Sequence, residues 1–129
     1  MPASDHVQKA RTFLQDAQLC AKHKHYDSSS RRVYYAMFRA AIALMEQYGY
    51  LRPSWNHGRL KGALVRRMVE ERAILTHREV EALEAAYALR IRADYENRPV
   101  SPQEVQEILG AADRFVAKIE GVMQHESQP

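Results

Sequence analysis

Hydrophobic residues recur at intervals of three and four along most of this chain, which is the spacing of an α-helix that buries one face. In the first such segment, residues 4–23, Ser4 or Asp5 can cap the start. The apolar stripe of this segment consists of Val7, Ala10, Leu14, Ala17 and Ala21, widened by Phe13 and Cys20. Nothing in the sequence resembles a strand or an internal repeat. The pattern therefore predicts an all-α protein.

Two further helices are predicted in the first half of the chain. Asp27 or Ser28 can cap a second helix that lasts to about residue 48, and a loop containing Gly49 follows it. The inner face of the second helix is expected to carry Tyr34, Phe38, Ala41, Met45 and Tyr48. A shorter third helix, residues 56–71, places Leu60, Leu64 and Met68 inward.

Two capping boxes mark the starts of the last two helices. Thr76 with Glu79 opens a fourth helix that is expected to last to about Arg98, just before Pro99. In the same way, the sequence from Ser101 to Glu104 opens a fifth. The fifth helix is expected to bury Val105, Ile108, Ala112, Val116, Ile119 and Met123. Because the connections are short, we expect an up-and-down bundle of four to five antiparallel helices.

The length and composition fit one globular domain, which we place at residues 4–125 with a polar tail at 126–129. The single cysteine, Cys20, excludes an internal disulfide and fits a reducing compartment. No apolar leader opens the chain, and no stretch reaches the roughly 18 apolar residues of a membrane span. We expect a cytoplasmic protein with no membrane contact.

The stretch ALRIRADYENR, residues 88–98, places ionisable groups on the inner face of the fourth helix. At about 100° per residue, Asp94 falls in the middle of the apolar stripe and Arg90 at its edge, whereas Arg92 points nearly the opposite way. An inward carboxylate needs a partner, and Arg90, four residues earlier, is one candidate. The same geometry puts Arg31 on the inner face of the second helix. These groups form either a local ion pair or part of a cleft.

The start of the third helix is expected to lie at the same end of the bundle. This would bring His57 near Arg90, Asp94 and Tyr95. The third helix also carries Arg59, Lys61, Arg66, Arg67 and Arg72, which predicts an electropositive face suited to phosphate. For Arg66 and Arg67, a solvated helix face is an equally good interpretation.

The sequence predicts no metal or cofactor site. It has no glycine-rich phosphate loop, no HExxH pair, no cysteine pair and no EF-hand spacing. Cys20 lies on a buried stripe, where packing is expected rather than catalysis.

Four segments in order carry a resemblance to a known family: YDSSSRRVYYAMFRAAIALM, HGRL, LRIRADYE and SPQEVQEILGAADRFVAKIE. Together they resemble the HEPN fold (higher eukaryotes and prokaryotes nucleotide-binding), and more narrowly the small stand-alone prokaryotic HEPN proteins, over about Val7 to Ile119. The resemblance implies a helical bundle that is commonly dimeric and is often encoded beside a minimal nucleotidyltransferase as a toxin–antitoxin pair.

Many members of that family are metal-independent ribonucleases, and the chain departs from their motif. Their active site pairs an arginine with a histidine that follows after four to six intervening residues, near the end of the fourth main helix, and two such sites meet at the dimer interface. The corresponding positions after Arg90 hold Tyr95, Glu96 and Asn97, and those after Arg92 run from Asn97 to Pro99. Without that imidazole, general acid–base cleavage lacks its usual proton carrier near neutral pH.

Three interpretations of function follow. In the first, a homodimer acts with a nucleotidyltransferase partner and binds nucleotide or RNA at a cleft built by Arg90, Arg92, Asp94 and Tyr95. In the second, the protein is a metal-independent ribonuclease toxin in which His57 or Tyr95 replaces the missing histidine. In the third, it is a non-catalytic structural scaffold.

Overall fold

The computed structural model describes residues 3–127. It contains α1 (Ala3–Lys22), α2 (Tyr26–Gln47), α3 (His57–Ala63, continued by a π-helix over Leu64–Glu71), α4 (His77–Tyr95) and α5 (Pro102–Ser127). No strand occurs among the residues described. The predicted all-α, up-and-down bundle is confirmed.

Helix α2 is the centre of the bundle, because α1, α4 and α5 all pack against it. Small residues let α1 and α2 approach closely, with Ala10 and Ala17 on one helix and Ala36 and Ala40 on the other, all at most 1% exposed. The predicted inner residues of α3 and its π extension are fully buried, and so are nearly all those of α5. Each large apolar side chain buried in this way contributes about 1.5–3 kcal/mol.

Both predicted capping boxes are present. The Thr76 hydroxyl accepts from the Glu79 amide at 3.1 Å, and the Glu79 carboxylate accepts from the Thr76 amide at 2.8 Å. The Ser101 hydroxyl and the Glu104 carboxylate make the same exchange at 3.1 and 3.0 Å. These bonds satisfy amides that a helix start would otherwise leave unpaired.

The other predicted caps are wrong. Helix α1 begins at Ala3, so Ser4 and Asp5 lie inside it, and α2 begins at Tyr26 with His25 as an N-cap that makes no side-chain bond. The connection between these helices is only three residues long and turns at Lys24, whose φ is +64°. The chain therefore enters α2 before it reaches Asp27.

Helix α4 ends at Tyr95, three residues before the predicted end at Arg98. Pro99 explains the difference, because it has no amide to donate to the Tyr95 carbonyl and its ring would clash there. At the other end of the chain, α5 continues to Ser127, and residues 128 and 129 of the expected polar tail lie outside the described residues.

Candidate functional site

A cleft of about 590 Å³ opens between α2, the start of α3 and the middle of α4. We call it the aromatic cleft, because most of its lining side chains are rings: Phe13, Tyr34, Tyr35, Phe38, Arg39, Trp55, Asn56, His57, Tyr87 and Arg90. Tyr35 remains 37% exposed, which is unusual for a large apolar side chain in this molecule. The volume falls within the range of pockets that bind small molecules.

His57 is held at the wall of the cleft by contacts on every side. Asn56 caps α3 by accepting from the Arg59 amide at 2.8 Å, which makes His57 the first residue of the helix. The imidazole stacks on Tyr87 with ring centroids 3.8 Å apart and planes 8° from parallel. Its Nδ1 lies 3.0 Å from the Tyr34 hydroxyl, and its Nε2 lies 2.5 Å from a carboxylate oxygen of Glu84.

These bonds fix the proton of the neutral imidazole on Nε2. The hydrogen bond with His57 lowers the pKa of the Glu84 carboxyl, so Glu84 is ionised and accepts from Nε2. Burial raises the pKa of the Tyr34 hydroxyl, which is 3% exposed, so that it stays protonated and donates to Nδ1. Both ring nitrogens of His57 are therefore occupied within the protein.

Arg90 borders the cleft with its guanidinium stacked on aromatic rings. The Cζ atom lies 5.5 Å from the ring centroid of Tyr34 and 5.6 Å from that of Tyr35. The Nε atom is 3.4 Å from Asp94, close enough for the predicted ion pair, but the geometry is not that of a hydrogen bond. Among the described residues, neither Arg90 Nε nor Trp55 Nε1 has a hydrogen-bond acceptor.

Asp94 joins α4 to α2. Its carboxylate pairs with Arg31, which also donates to the Ala93 carbonyl at 3.2 Å. Arg31 and Asp94 thus face each other between α2 and α4, although Asp94 is exposed and not buried in the apolar stripe. Arg31 rather than Arg90 is the hydrogen-bonded partner of Asp94. Because Asp94 already holds α2 to α4, its negative charge beside Arg90 is fixed in position.

Arg92 lies on the opposite side of α4, as predicted, but that side faces α5 rather than solvent. It is 9% exposed and pairs with Glu104 at the start of α5. The hydrogen bond from Arg92, helped by the Ser101 amide, lowers the pKa of the Glu104 carboxyl to about 2. Arg92 therefore does not reach the aromatic cleft.

Tyr95 is also outside the cleft, at 75% exposed. The start of α3 reaches only the middle of α4, where His57 contacts Glu84 and Tyr87. The last turn of α4 extends beyond α3, so Tyr95 lies away from His57, whereas Arg92 is separated because it faces α5. The structure thus places His57 and Arg90 in one cleft and leaves Asp94 beside Arg90.

The sequence interpretation missed several residues of the cleft. Tyr34 was predicted on the inner face of the second helix, and the structure shows that it is both a core residue and a wall of the cleft. Tyr87, which is partly buried against the core, forms another wall. Glu84 was overlooked, although it precedes Tyr87 by three residues and so lies on the same helix face. Phe13 and Trp55 come from distant segments, and no local pattern indicates that they meet.

Neither a metal cluster nor a membrane helix is found in residues 3–127. No group of three or more His, Cys, Asp and Glu side chains there could hold a metal ion. None of the helices in this range combines the length and the apolar character needed to cross a bilayer.

Comparisons with known proteins identify the fold and the family of this chain. The crystal structure of TT1696 from Thermus thermophilus is similar, with a TM-score of 0.73 and 21% sequence identity over 92% of this chain and 96% of that one. At this identity the likeness concerns the fold. No curated protein matches the chain. The sequence model of the HEPN domain matches residues 3–122, nearly the whole chain, and the protein therefore belongs to the HEPN domain family.

Proposed function

We propose that this HEPN protein is a binding and regulatory component of a prokaryotic toxin–antitoxin-like pair. It forms a homodimer, acts with a minimal nucleotidyltransferase and binds a nucleotide or a segment of RNA in the aromatic cleft. The observation that carries the proposal is the Arg90 guanidinium, stacked on Tyr34 and Tyr35 at the edge of a ring-lined cleft.

The lining of the cleft suits both parts of a nucleotide. A base offers two π-faces, and stacking on an aromatic side chain contributes about 1–3 kcal/mol per base. Tyr35 has an exposed ring for such stacking. Arg90 and Arg39 both line the cleft, and guanidinium groups bind phosphate through charge-assisted hydrogen bonds.

The arrangement of His57 favours binding over cleavage. A general base needs a ring nitrogen free to take a proton from the attacking hydroxyl. In this structure Nε2 is bonded to Glu84 and Nδ1 to Tyr34. Cleavage through His57 would require the Tyr34 contact to break, because Nδ1 is the nitrogen without the proton, whereas stacking and phosphate binding require no change in either contact.

Binding is tested with ATP that carries a fluorescent label on its ribose, titrated in EDTA and followed by anisotropy. Arg90→Gln should weaken binding about tenfold or more, because it removes a charge-assisted contact of about 1.5–3 kcal/mol. Arg114→Gln, an exposed charge change on α5, is the matched control and should leave the affinity unchanged. Equal affinities for the two variants, both folded, would refute a nucleotide site at Arg90.

Two further measurements address assembly and cleavage. Sedimentation should give a dimer, and the chain should co-purify with a minimal nucleotidyltransferase encoded beside it; a monomer that captures no such partner would contradict this part of the proposal. RNA that is cut by the wild type but not by Arg90→Gln would show a ribonuclease instead of a binding module.

A further inference from the structure

The positive charge of the chain is concentrated in one segment. Residues 52–72 contain six arginine and lysine residues and two glutamates, a net charge of +4, whereas the whole chain carries +3. The remaining residues are therefore slightly acidic as a group. The basic segment forms the end of the α2–α3 loop, α3 and its π extension, and Arg52, Arg59, Arg66 and Arg72 within it are all exposed.

Part of this charge is stacked in an ordered way on two tyrosines. The Cζ atom of Arg72 lies 4.3 Å from the ring centroid of Tyr48 and 5.7 Å from that of Tyr50. The Cζ atom of Arg67 lies 4.9 Å from the Tyr50 centroid. Rings and guanidinium groups thus alternate in the order Tyr48, Arg72, Tyr50, Arg67, which we call the cation–aromatic ladder.

The backbone holds the ladder in place. After the π-helix ends at Glu71, the Met68 carbonyl accepts from the amides of Ile74 and Leu75 at 2.7 and 3.0 Å. Ala73, which precedes them, has φ +52°, a conformation that L side chains rarely adopt. The tight end of the helix fixes the backbone of Arg72 beside Tyr48. The path of the backbone, and not only the rotation of the side chain, therefore brings the guanidinium onto the ring.

We propose that the cation–aromatic ladder and Arg66 form a second binding surface, which holds the backbone of single-stranded RNA outside the aromatic cleft. Within the ladder, Arg67 is already paired, because its Nη1 donates to both carboxylate oxygens of Glu71 at 2.9 and 3.1 Å. Arg72 donates from Nη2 to the Tyr50 hydroxyl at 3.4 Å, and the other N–H groups at the edge of its guanidinium can contact phosphate. Arg66 adds a second exposed cation. The tyrosine rings hold the guanidinium groups in position, because Arg72 lies over Tyr48 and both arginines lie over Tyr50.

The basic segment that carries the arginines of the ladder begins beside the aromatic cleft. The Cζ atom of Arg52 lies 5.2 Å from the ring of Trp55, and Trp55 lines the cleft. Arg52 and α3 therefore lead from the mouth of the cleft along the basic segment towards Arg72. A strand with one nucleotide in the cleft has a charged path for the nucleotides that follow, although binding to the ladder does not depend on the cleft.

The test uses a fluorescein-labelled oligouridylate of about 12 nucleotides, titrated at KCl concentrations from about 50 to 300 mM. The double variant Arg66→Gln/Arg72→Gln removes two cations from the surface. It should weaken binding about tenfold and reduce the slope of log K against log salt by about 1.4, because each phosphate contact on a single strand contributes about 0.7.

The matched control is Arg98→Gln/Arg114→Gln, which removes the same charge from exposed positions outside the basic segment. Its slope should equal that of the wild type. Because Arg72 contacts Tyr48 and Tyr50, thermal unfolding should first show that both doubles are folded, and Arg66→Gln alone, which leaves the ladder intact, should reduce the slope by about 0.7.

Two outcomes would overturn the proposal: a wild type that does not bind oligouridylate, or two doubles that weaken binding equally. The first outcome is expected if the basic surface binds an acidic protein and not RNA. Labelled ATP separates this proposal from the previous one, because the ladder variants should bind it as the wild type does while Arg90→Gln does not.

Discussion

Arg90 and Arg92 are two residues apart on one helix, and the fold uses them in opposite ways. The side chain of Arg90 is 26% exposed and lies over two tyrosine rings beside a cleft. Arg92 is nearly buried and is paired with Glu104 across the α4–α5 contact. Two positions on a helix differ by about 200°, enough to turn one arginine towards α2 and the other towards α5. The role of each arginine is therefore determined by the helix that its side chain faces and not by its residue type.

The largest difference should appear when each arginine is replaced by methionine. Arg92→Met should lower the free energy of unfolding by about 2 kcal/mol. This is below the usual cost of breaking a buried pair, because the Glu104 side chain is 37% exposed. Arg90→Met should lower it by less than about 1 kcal/mol. Urea unfolding measures both.

Labelled ATP should give the reverse order for the same two variants, with affinity lost in Arg90→Met and kept in Arg92→Met. If Arg90→Met is as destabilising as Arg92→Met and binds ATP normally, Arg90 is a structural residue and the contrast disappears.

A smaller effect is expected from pH. The pKa of Glu104 is lowered from 4.5 to about 2, so the folded carboxyl holds its proton less tightly than the unfolded one. Its contribution to stability is complete above about pH 4.5 and is lost as the pH falls towards 2. We expect this contribution to the free energy of unfolding to be about 1 kcal/mol, because the Glu104 side chain is more than a third exposed.

The comparison with Glu104→Gln isolates this contribution, since glutamine can still accept from the Ser101 amide. Urea unfolding at about pH 5 and about pH 3 should show a larger loss for the wild type than for the variant. An equal loss of stability in the wild type and in Glu104→Gln would mean that the Arg92–Glu104 pair does not depend on the charge of Glu104.

The smallest effect should come from Asp94→Asn, and it should be a gain in binding. The Asp94 carboxylate lies 3.4 Å from Arg90 Nε and opposes an anion at that place. Removing its charge should raise the affinity for labelled ATP about two- to threefold, while the lost pair with Arg31 lowers stability by up to about 1 kcal/mol. Glu96→Gln, an exposed change near the end of α4, should have no effect on affinity; an unchanged affinity in Asp94→Asn would place the phosphate elsewhere.

The sequence predicted the fold well, because the fold depends on local signals. The capping boxes at Thr76 and Ser101 and the apolar stripe of α5 are patterns within a few turns of helix, and all were confirmed. The HEPN membership followed from motif order along the chain and was confirmed as well.

The site could be predicted only in part. A helical wheel assumes one inner direction, but α4 packs on α2 and on α5, so the wheel gave the direction of Arg92 and not its burial. Where α3 begins along α4 depends on the loop before His57, whose path no local pattern specifies, so the separation of Tyr95 from His57 could not be foreseen. In the same way, no pattern in the sequence distinguishes i→i+5 from i→i+4 bonding in LVRRMVEE.

The π-helix also decides how a change in chain length reaches the surface. A turn of π-helix holds about one residue more than a turn of α-helix, so loss of a single residue between Met68 and Arg72 would let one such turn close into regular α-helix. Because the wider turn absorbs the extra residue, Arg72 would then keep roughly its direction relative to Leu60 and Leu64 and stay near the ring of Tyr48. A deletion in the regular α-helix before Leu64 would instead rotate all the residues that follow by about 100°. The π-helix is therefore the place where this segment could lose one residue while the buried part of α3 and the ladder both keep their faces.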